Sequence, residues 1–146
     1  MRTATPVNLI VLNKKNEVLL LRRKEEEDQF VDSWSIPGGG PEKGETYEQA
    51  LSREIKEEIG CRIKEISYFK SYYYKVSPEL HVRAIYFFGV IEGNIVFDRK
   101  EFSDCRWFKI DDAMKKGFNI AFNQKDVLKD FKSLIADIRN ENDTSK

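Results

Sequence analysis

One helix-length segment constrains this chain more than any other. From Thr46 to Ile59, apolar residues recur every fourth position, at Tyr47, Leu51, Ile55 and Ile59. Such spacing writes a stripe along one side of a helix, so the segment has to lie against a core. Gly60 follows as a helix stop, and Gly38-Gly39-Gly40-Pro41 precedes it as a turn. Glu54, Glu57 and Glu58 stand three and four positions apart, which makes them neighbours on the helix surface. Glu54 and Glu58 flank the apolar stripe, Glu57 lies further round and Arg53 beyond it. Three carboxylates this close repel one another unless a cation sits among them. A hard divalent cation with oxygen ligands, Mg²⁺ foremost and Mn²⁺ as the alternative, resolves the repulsion. Mg²⁺ keeps several waters and is commonly shared with substrate phosphates, so the pattern points to chemistry on a phosphate ester or anhydride.

The rest of the pattern is mixed. Val7–Leu12 and Val18–Leu21 are short apolar runs around the turn Asn13-Lys14-Lys15-Asn16, and are expected to pair as a hairpin. Glu25–Ser33 is a polar loop, and Trp34-Ser35-Ile36 a short extended piece. Ile63–Val76, Val82–Ile91 and Phe102–Ile110 are rich in aromatic and β-branched residues and read as strands. Loop signals separate them at Ser77-Pro78-Glu79 and Glu92-Gly93-Asn94. Val127–Ile138 is an amphipathic closing helix, and Asn140–Lys146 a polar tail. Mixed strands with one central and one closing helix predict an α/β fold, an α/β/α sandwich with a mixed sheet, as a single domain over residues 1–139.

Composition narrows the partners. Lys plus Arg and Asp plus Glu number 25 each, so the net charge is zero and nothing favours a nucleic acid polymer or an anionic membrane. Cys61 and Cys105 form no CxxC pair, and the lone His81 cannot build a histidine metal site. Reduced thiols, no apolar run near 18 residues and no signal-peptide core predict a soluble cytoplasmic protein.

The stretch from Gly39 to Cys61 resembles the Nudix box, G-x5-E-x7-R-E-U-x-E-E-x-G-U, where U is a bulky apolar residue. Gly39, Glu45, Arg53, Glu54, Glu57, Glu58 and Gly60 occupy its fixed positions, Ile55 the first apolar one and Cys61 the last. A fixed position is filled by chance about 5–7% of the time at average usage, so all of them in register are expected on the order of once per million chains. The flanks also resemble the family, at Trp34-Ser35-Ile36-Pro37-Gly38-Gly39 and at Arg106-Trp107-Phe108 with Asp111-Asp112.

The resemblance implies an α/β/α sandwich and a Mg²⁺-assisted pyrophosphohydrolase. Its substrate is a nucleoside diphosphate linked to another group, foremost a (deoxy)nucleoside triphosphate as in the MutT-like branch. ADP-ribose, nucleotide sugars and dinucleoside polyphosphates are the alternatives within that chemistry, and a non-catalytic nucleotide-binding module is the alternative outside it. By resemblance, Glu57 and Glu58 coordinate the metal, and Glu54 is a further ligand or the base for the attacking water. Glu45 orients another ligand, binds a second metal or simply favours the helix N-terminus. Arg53 tethers Glu45 or a loop. Gly39 and Gly40 allow close backbone approach to a phosphate. Arg22 and Arg23 stand where related proteins carry a phosphate-contacting arginine, and Glu101 or Asp104 where some carry an extra acid or base. Among Phe69, Tyr72, Tyr73, Tyr74 and Phe87 are candidates to stack on a base. Asn119 and Asn123 lie where a related enzyme reads its base, although Asn123 reads better as a helix N-cap. Many relatives are homodimers, and no interface is legible in the sequence.

Overall fold

The structure is a computed structural model that describes residues 2–24 and 30–144, with side chains described as far as residue 139. Residues 25–29 of the expected polar loop, and Ser145 and Lys146 of the expected tail, lie outside the described residues.

The central helix forms as its sequence requires. α1 (Tyr47–Ile59) opens on Thr46, whose hydroxyl accepts the Gln49 amide at 3.1 Å while the Gln49 side chain accepts the Thr46 amide at 2.9 Å. This reciprocal capping satisfies two of the donors that a helix start leaves unpaired. Gly60 ends the helix in the left-handed region at φ 69 and returns its amide to the Lys56 carbonyl. Leu51, Ile55 and Ile59 are fully buried, each contributing about 1.5–3 kcal/mol of apolar burial. Tyr47 departs from the expected stripe. It is the first residue of the helix and is 45% exposed.

Two sheets lie between α1 and a long closing helix. β1 (Arg2–Ala4), β2 (Val7–Val11), β5 (Gly38–Gly39), β6 (Arg62–Ser77) and β7 (Leu80–Glu92) make a five-stranded mixed sheet. β7 is its axis, parallel to β1 and β2 and antiparallel to β6, and β5 pairs with β2. β3 (Val18–Arg23) lies between β4 (Trp34–Ser35) and β8 (Phe102–Phe108) in an antiparallel second sheet. The short α2 (Ile110–Ala113) and α3 (Gln124–Thr144) complete the chain. α3 begins three residues earlier than its apolar pattern suggests and carries six residues of the expected tail or its border as helix.

The expected hairpin does not form. β2 and β3 meet only at an isolated bridge between Leu12 and Val18, then diverge into separate sheets. Both strands are apolar on both faces, and a hairpin would leave each with an unpaired edge. Alternate β2 residues serve the two cores instead. Val7, Leu9 and Val11 face α1 with Leu21, Phe87 and Phe102, while Ile10 faces α3 with Tyr86, Leu128 and Phe131. No helix among the described residues is long and apolar enough to cross a membrane.

Gly38 and Gly39 bring the turn before α1 against the sheet. A Cβ on Gly38 would stand 2.1 Å from the Val7 carbonyl oxygen, so only glycine lets β5 lie beside β2. This seats the turn, the end of β3 and the start of α3 around one end of the two sheets.

Candidate functional site

The three helix glutamates differ sharply in environment. Glu58 is buried, and its Oε1 accepts the Gly38 amide at 2.8 Å. Glu54 is mostly covered, its carboxylate close behind Gly39, whereas Glu57 has a side chain 58% exposed. Position on the helix explains the order, since Glu54 and Glu58 border the apolar stripe and Glu57 does not.

Arg53 organises the outer side of this cluster. Its Nε and Nη2 hold Glu45 at 2.8 and 3.0 Å, Nη1 reaches Glu54 at 3.0 Å and Glu57 at 3.3 Å, and Nη2 also donates to the Gly40 carbonyl at 3.1 Å. The paired guanidinium hydrogen bonds hold the Glu45 carboxyl below its usual range, and Glu45 in turn holds the guanidinium pKa up.

The inner side gathers carboxylates at a buried place. Burial, followed by the charges of Glu101 and Glu54, pushes the Glu58 pKa well up, against the opposing Gly38 hydrogen bond and the Arg23 charge. Burial raises Glu54 as well, although Arg53 pulls the other way. Glu101 comes from the loop before β8, on the other sheet, and adds a third carboxylate to the inner side beside Glu54 and Glu58.

Glu54 and Glu101 line a cleft of about 290 Å³ whose walls also include Arg23, Gly38, Gly39, Tyr86 and Gln124, with Glu58 behind Gly38. A larger, mostly apolar cavity of about 690 Å³ adjoins it, and Pro6, Tyr74 and Phe122 line both. Of the two arginines, Arg23 lines the cleft. Arg22 is turned outwards, its Nε donating to the Asp32 carbonyl at 3.4 Å. Gly39 belongs to the cleft and Gly40 to the apolar cavity. Asp104 pairs with Arg106 at 2.7 Å on β8.

Of the aromatic candidates, Tyr74 reaches the cavities. Phe69 packs on Phe131, Tyr72 on Tyr86 and Phe87 under Tyr68, as core or cross-strand pairs. Tyr73 stands under the Arg83 guanidinium. Asn119 accepts the Ser33 hydroxyl at 3.1 Å. Asn123 lines the apolar cavity and stands just before α3, where its carbonyl accepts the Val127 amide at 3.3 Å, but its side chain does not cap the helix: its Oδ1 is buried without a hydrogen-bond partner among the described residues.

Phe122 and Gln124 line the cleft without any local sequence signal, and Tyr86 reads in the sequence only as part of a strand. Phe122 holds φ at +56, a strained value for an aromatic residue, with Phe30 against its ring at 4.4 Å and the Arg23 guanidinium at 5.4 Å. No residue pattern signals that conformation.

No group of three or more His, Cys, Asp or Glu side chains among the described residues is arranged, as it stands, to hold a metal ion. Arg53 lies among Glu45, Glu54 and Glu57 instead. The donor set nevertheless fits a hard divalent cation. It is wholly oxygen, and burial and neighbouring carboxylates disfavour the charged form of Glu54 and Glu58, a cost that a bound cation would offset.

The NUDIX domain family matches residues 2–131. The chain is 31% identical over 131 residues to nucleoside triphosphatase NudI of Escherichia coli K12, covering 83% of this chain and 92% of that protein. It is 30% identical over 123 residues to the ADP-ribose pyrophosphatase of Methanocaldococcus jannaschii, covering 83% of this chain and 69% of that one. Among solved structures, the E. coli ORF135 protein aligns with a TM-score of 0.75 at 26% identity, over 93% of each chain. The MutT protein of Methanosarcina mazei Go1 shares the fold, with a TM-score of 0.78 at 23% identity over 90% of this chain and 94% of that one.

Proposed function

This chain belongs to the NUDIX family of pyrophosphohydrolases, and on that premise we propose that it hydrolyses a (deoxy)nucleoside triphosphate to the monophosphate and pyrophosphate with Mg²⁺. Hydrolysis of nucleoside diphosphate derivatives is the family's activity. The triphosphate, the ion and the residue roles are our reading.

One observation carries it: the charged cleft and the apolar cavity share the walls Pro6, Tyr74 and Phe122. A triphosphate in the first puts a single base and sugar into the second. Glu54, Glu57 and Glu58 would hold the ion, with Glu45 and Arg53 fixing the outer carboxylates. Arg23 and the backbone at Gly39 and Gly40 contact phosphates. Glu54, or Glu101 in the same cleft, takes the proton of the attacking water. When bound, the ion neutralises phosphate charge and lowers the pKa of water. Gly38 keeps Glu58 oriented through its amide. Cys61 and Cys105 are both unpaired, which suits a reducing cytoplasm.

ADP-ribose is the second reading, favoured by the name of the M. jannaschii relative. The chain spans a smaller share of that protein than of NudI, which supports the triphosphate. Product analysis with Mg²⁺ over nucleoside triphosphates, ADP-ribose, sugar nucleotides and dinucleoside polyphosphates tests the choice. Monophosphate and pyrophosphate from a triphosphate is the expected result. AMP and ribose phosphate from ADP-ribose as the favoured reaction contradicts it.

A further inference from the structure

The first residue of α3 is a glutamine with 2% of its surface exposed. Its Oε1 reaches 88 positions back along the chain and accepts the Ile36 amide at 2.8 Å. The same side chain meets the Tyr86 phenol on β7, and both residues line the cleft that holds Glu54 and Glu101. Ile36 begins the turn that carries the site glycines. Next along it, the Pro37 carbonyl accepts the Leu9 amide at 2.9 Å, and the Gly38 amide donates to Glu58. Proline has no amide hydrogen. The two donors of the Ile36–Gly38 run therefore both go to side chains, one to Gln124 and one to Glu58.

We infer that Gln124 is a positioning residue of the hydrolytic site, fixing the Ile36–Gly39 turn and through it the Gly38 hydrogen bond that orients Glu58. The inference rests on the reading of Glu58 as a site carboxylate. On the β2 side the segment is held by the Pro37–Leu9 hydrogen bond and by the pairing of Gly38 and Gly39 with Asn8 and Val7, and none of these contacts engages the Ile36 amide. The Gln124 bond holds the segment at its other end, at Ile36, two residues before the Gly38 amide that meets the carboxylate. Groups of this kind orient the residues that touch the reacting atoms, and losing one costs roughly 10–100-fold in metal affinity or activity.

Gln124→Met tests this, because methionine keeps the length and volume and removes both polar atoms. The expected variant is folded, and its Ile36 and Gly38 amides exchange with solvent about tenfold or more faster than in the parent, while β7 and α3 follow global opening. The Mg²⁺ concentration giving half the maximal thermal stabilisation rises about 3–10-fold, and kcat falls about 10–100-fold with KM within about threefold. Unchanged Gly38 exchange and an unchanged Mg²⁺ midpoint in the folded variant overturn the inference. So does a KM effect alone, which would mean that Gln124 touches substrate. If Gln124→Met does not fold, the parent decides: Ile36 and Gly38 amides that exchange rapidly there overturn the inference, and slow ones in both Gln124→Asn and the parent do too. Failure of the hydrolase reading is separate, and shows as a parent with neither turnover nor a Mg²⁺ response.

Discussion

The amide of Gly38 donates to Oε1 of Glu58 at 2.8 Å, joining the glycine turn to the most buried carboxylate of α1. A glutamine at position 58 keeps an oxygen for that amide and discards the charge. Burial and the neighbouring carboxylates disfavour that charge. Glu58→Gln is therefore expected to match or exceed the parent in stability by about 1 kcal/mol. It should lose its Mg²⁺-induced thermal shift, with kcat down about 10²–10⁴-fold. Thermal melts with and without Mg²⁺, alongside initial rates, check this. A less stable variant that keeps full activity would refute it.

The two glycines beside that bond separate fold from function. A Cβ on Gly39 would meet the Glu54 carboxylate oxygen at 2.5 Å, which is the mobile end of a side chain. Gly39→Ala should fold and lose activity by about 10²-fold through the displaced Glu54. A Cβ on Gly38 meets backbone at 2.1 Å. Gly38→Ala should lose about 1–3 kcal/mol as β5 leaves β2. Denaturant midpoints and rates, measured together, distinguish the two.

Phe122 holds a left-handed backbone at the boundary of the two cavities. Phe122→Gly removes strain of roughly 1–2 kcal/mol and also removes the ring, so stability should change little. If the ring stacks on the substrate base, KM rises about tenfold, in keeping with roughly 1–3 kcal/mol for a base–aromatic contact. A parental KM would remove Phe122 from substrate binding.

Much of this site was legible in the sequence because its determinants are local. The Thr46–Gln49 spacing, the apolar stripe and Gly60 define α1, and position beside the stripe separates buried Glu58 from exposed Glu57. Glu101 was legible only by resemblance, as it arrives from another sheet. Tertiary pairing decided the rest. β2 and β3 read as a hairpin but each became an interior strand. Gln124 finds its partner 88 residues away, so no local pattern marks it. Asn123 looks like a cap, yet its side chain points elsewhere.

A contact remote from the site supplies a pH prediction. The Tyr72 hydroxyl donates to Asp130 at 2.7 Å and, with Lys70, holds that carboxyl below its usual range. A carboxylate with a lowered folded pKa stabilises the protein above its unfolded value, near 3.9, and the stabilisation disappears as pH falls through the folded value. Tyr72→Phe should cost about 0.5–1 kcal/mol at neutral pH after allowance for solvent screening. Urea midpoints of the two proteins should converge as pH falls below the usual carboxylate range. A gap that persists undiminished in acid would assign the cost to packing.

The most direct test of the account is release of monophosphate and pyrophosphate from nucleoside triphosphates with Mg²⁺, measured for the parent and for Glu57→Gln. Glu57 has a largely exposed side chain, so its substitution leaves the core intact. Mg²⁺-dependent turnover by the parent is expected, with a loss of about 10³-fold in a variant that melts like the parent. Equal turnover by the two proteins, or parental turnover indifferent to divalent cations, would contradict it.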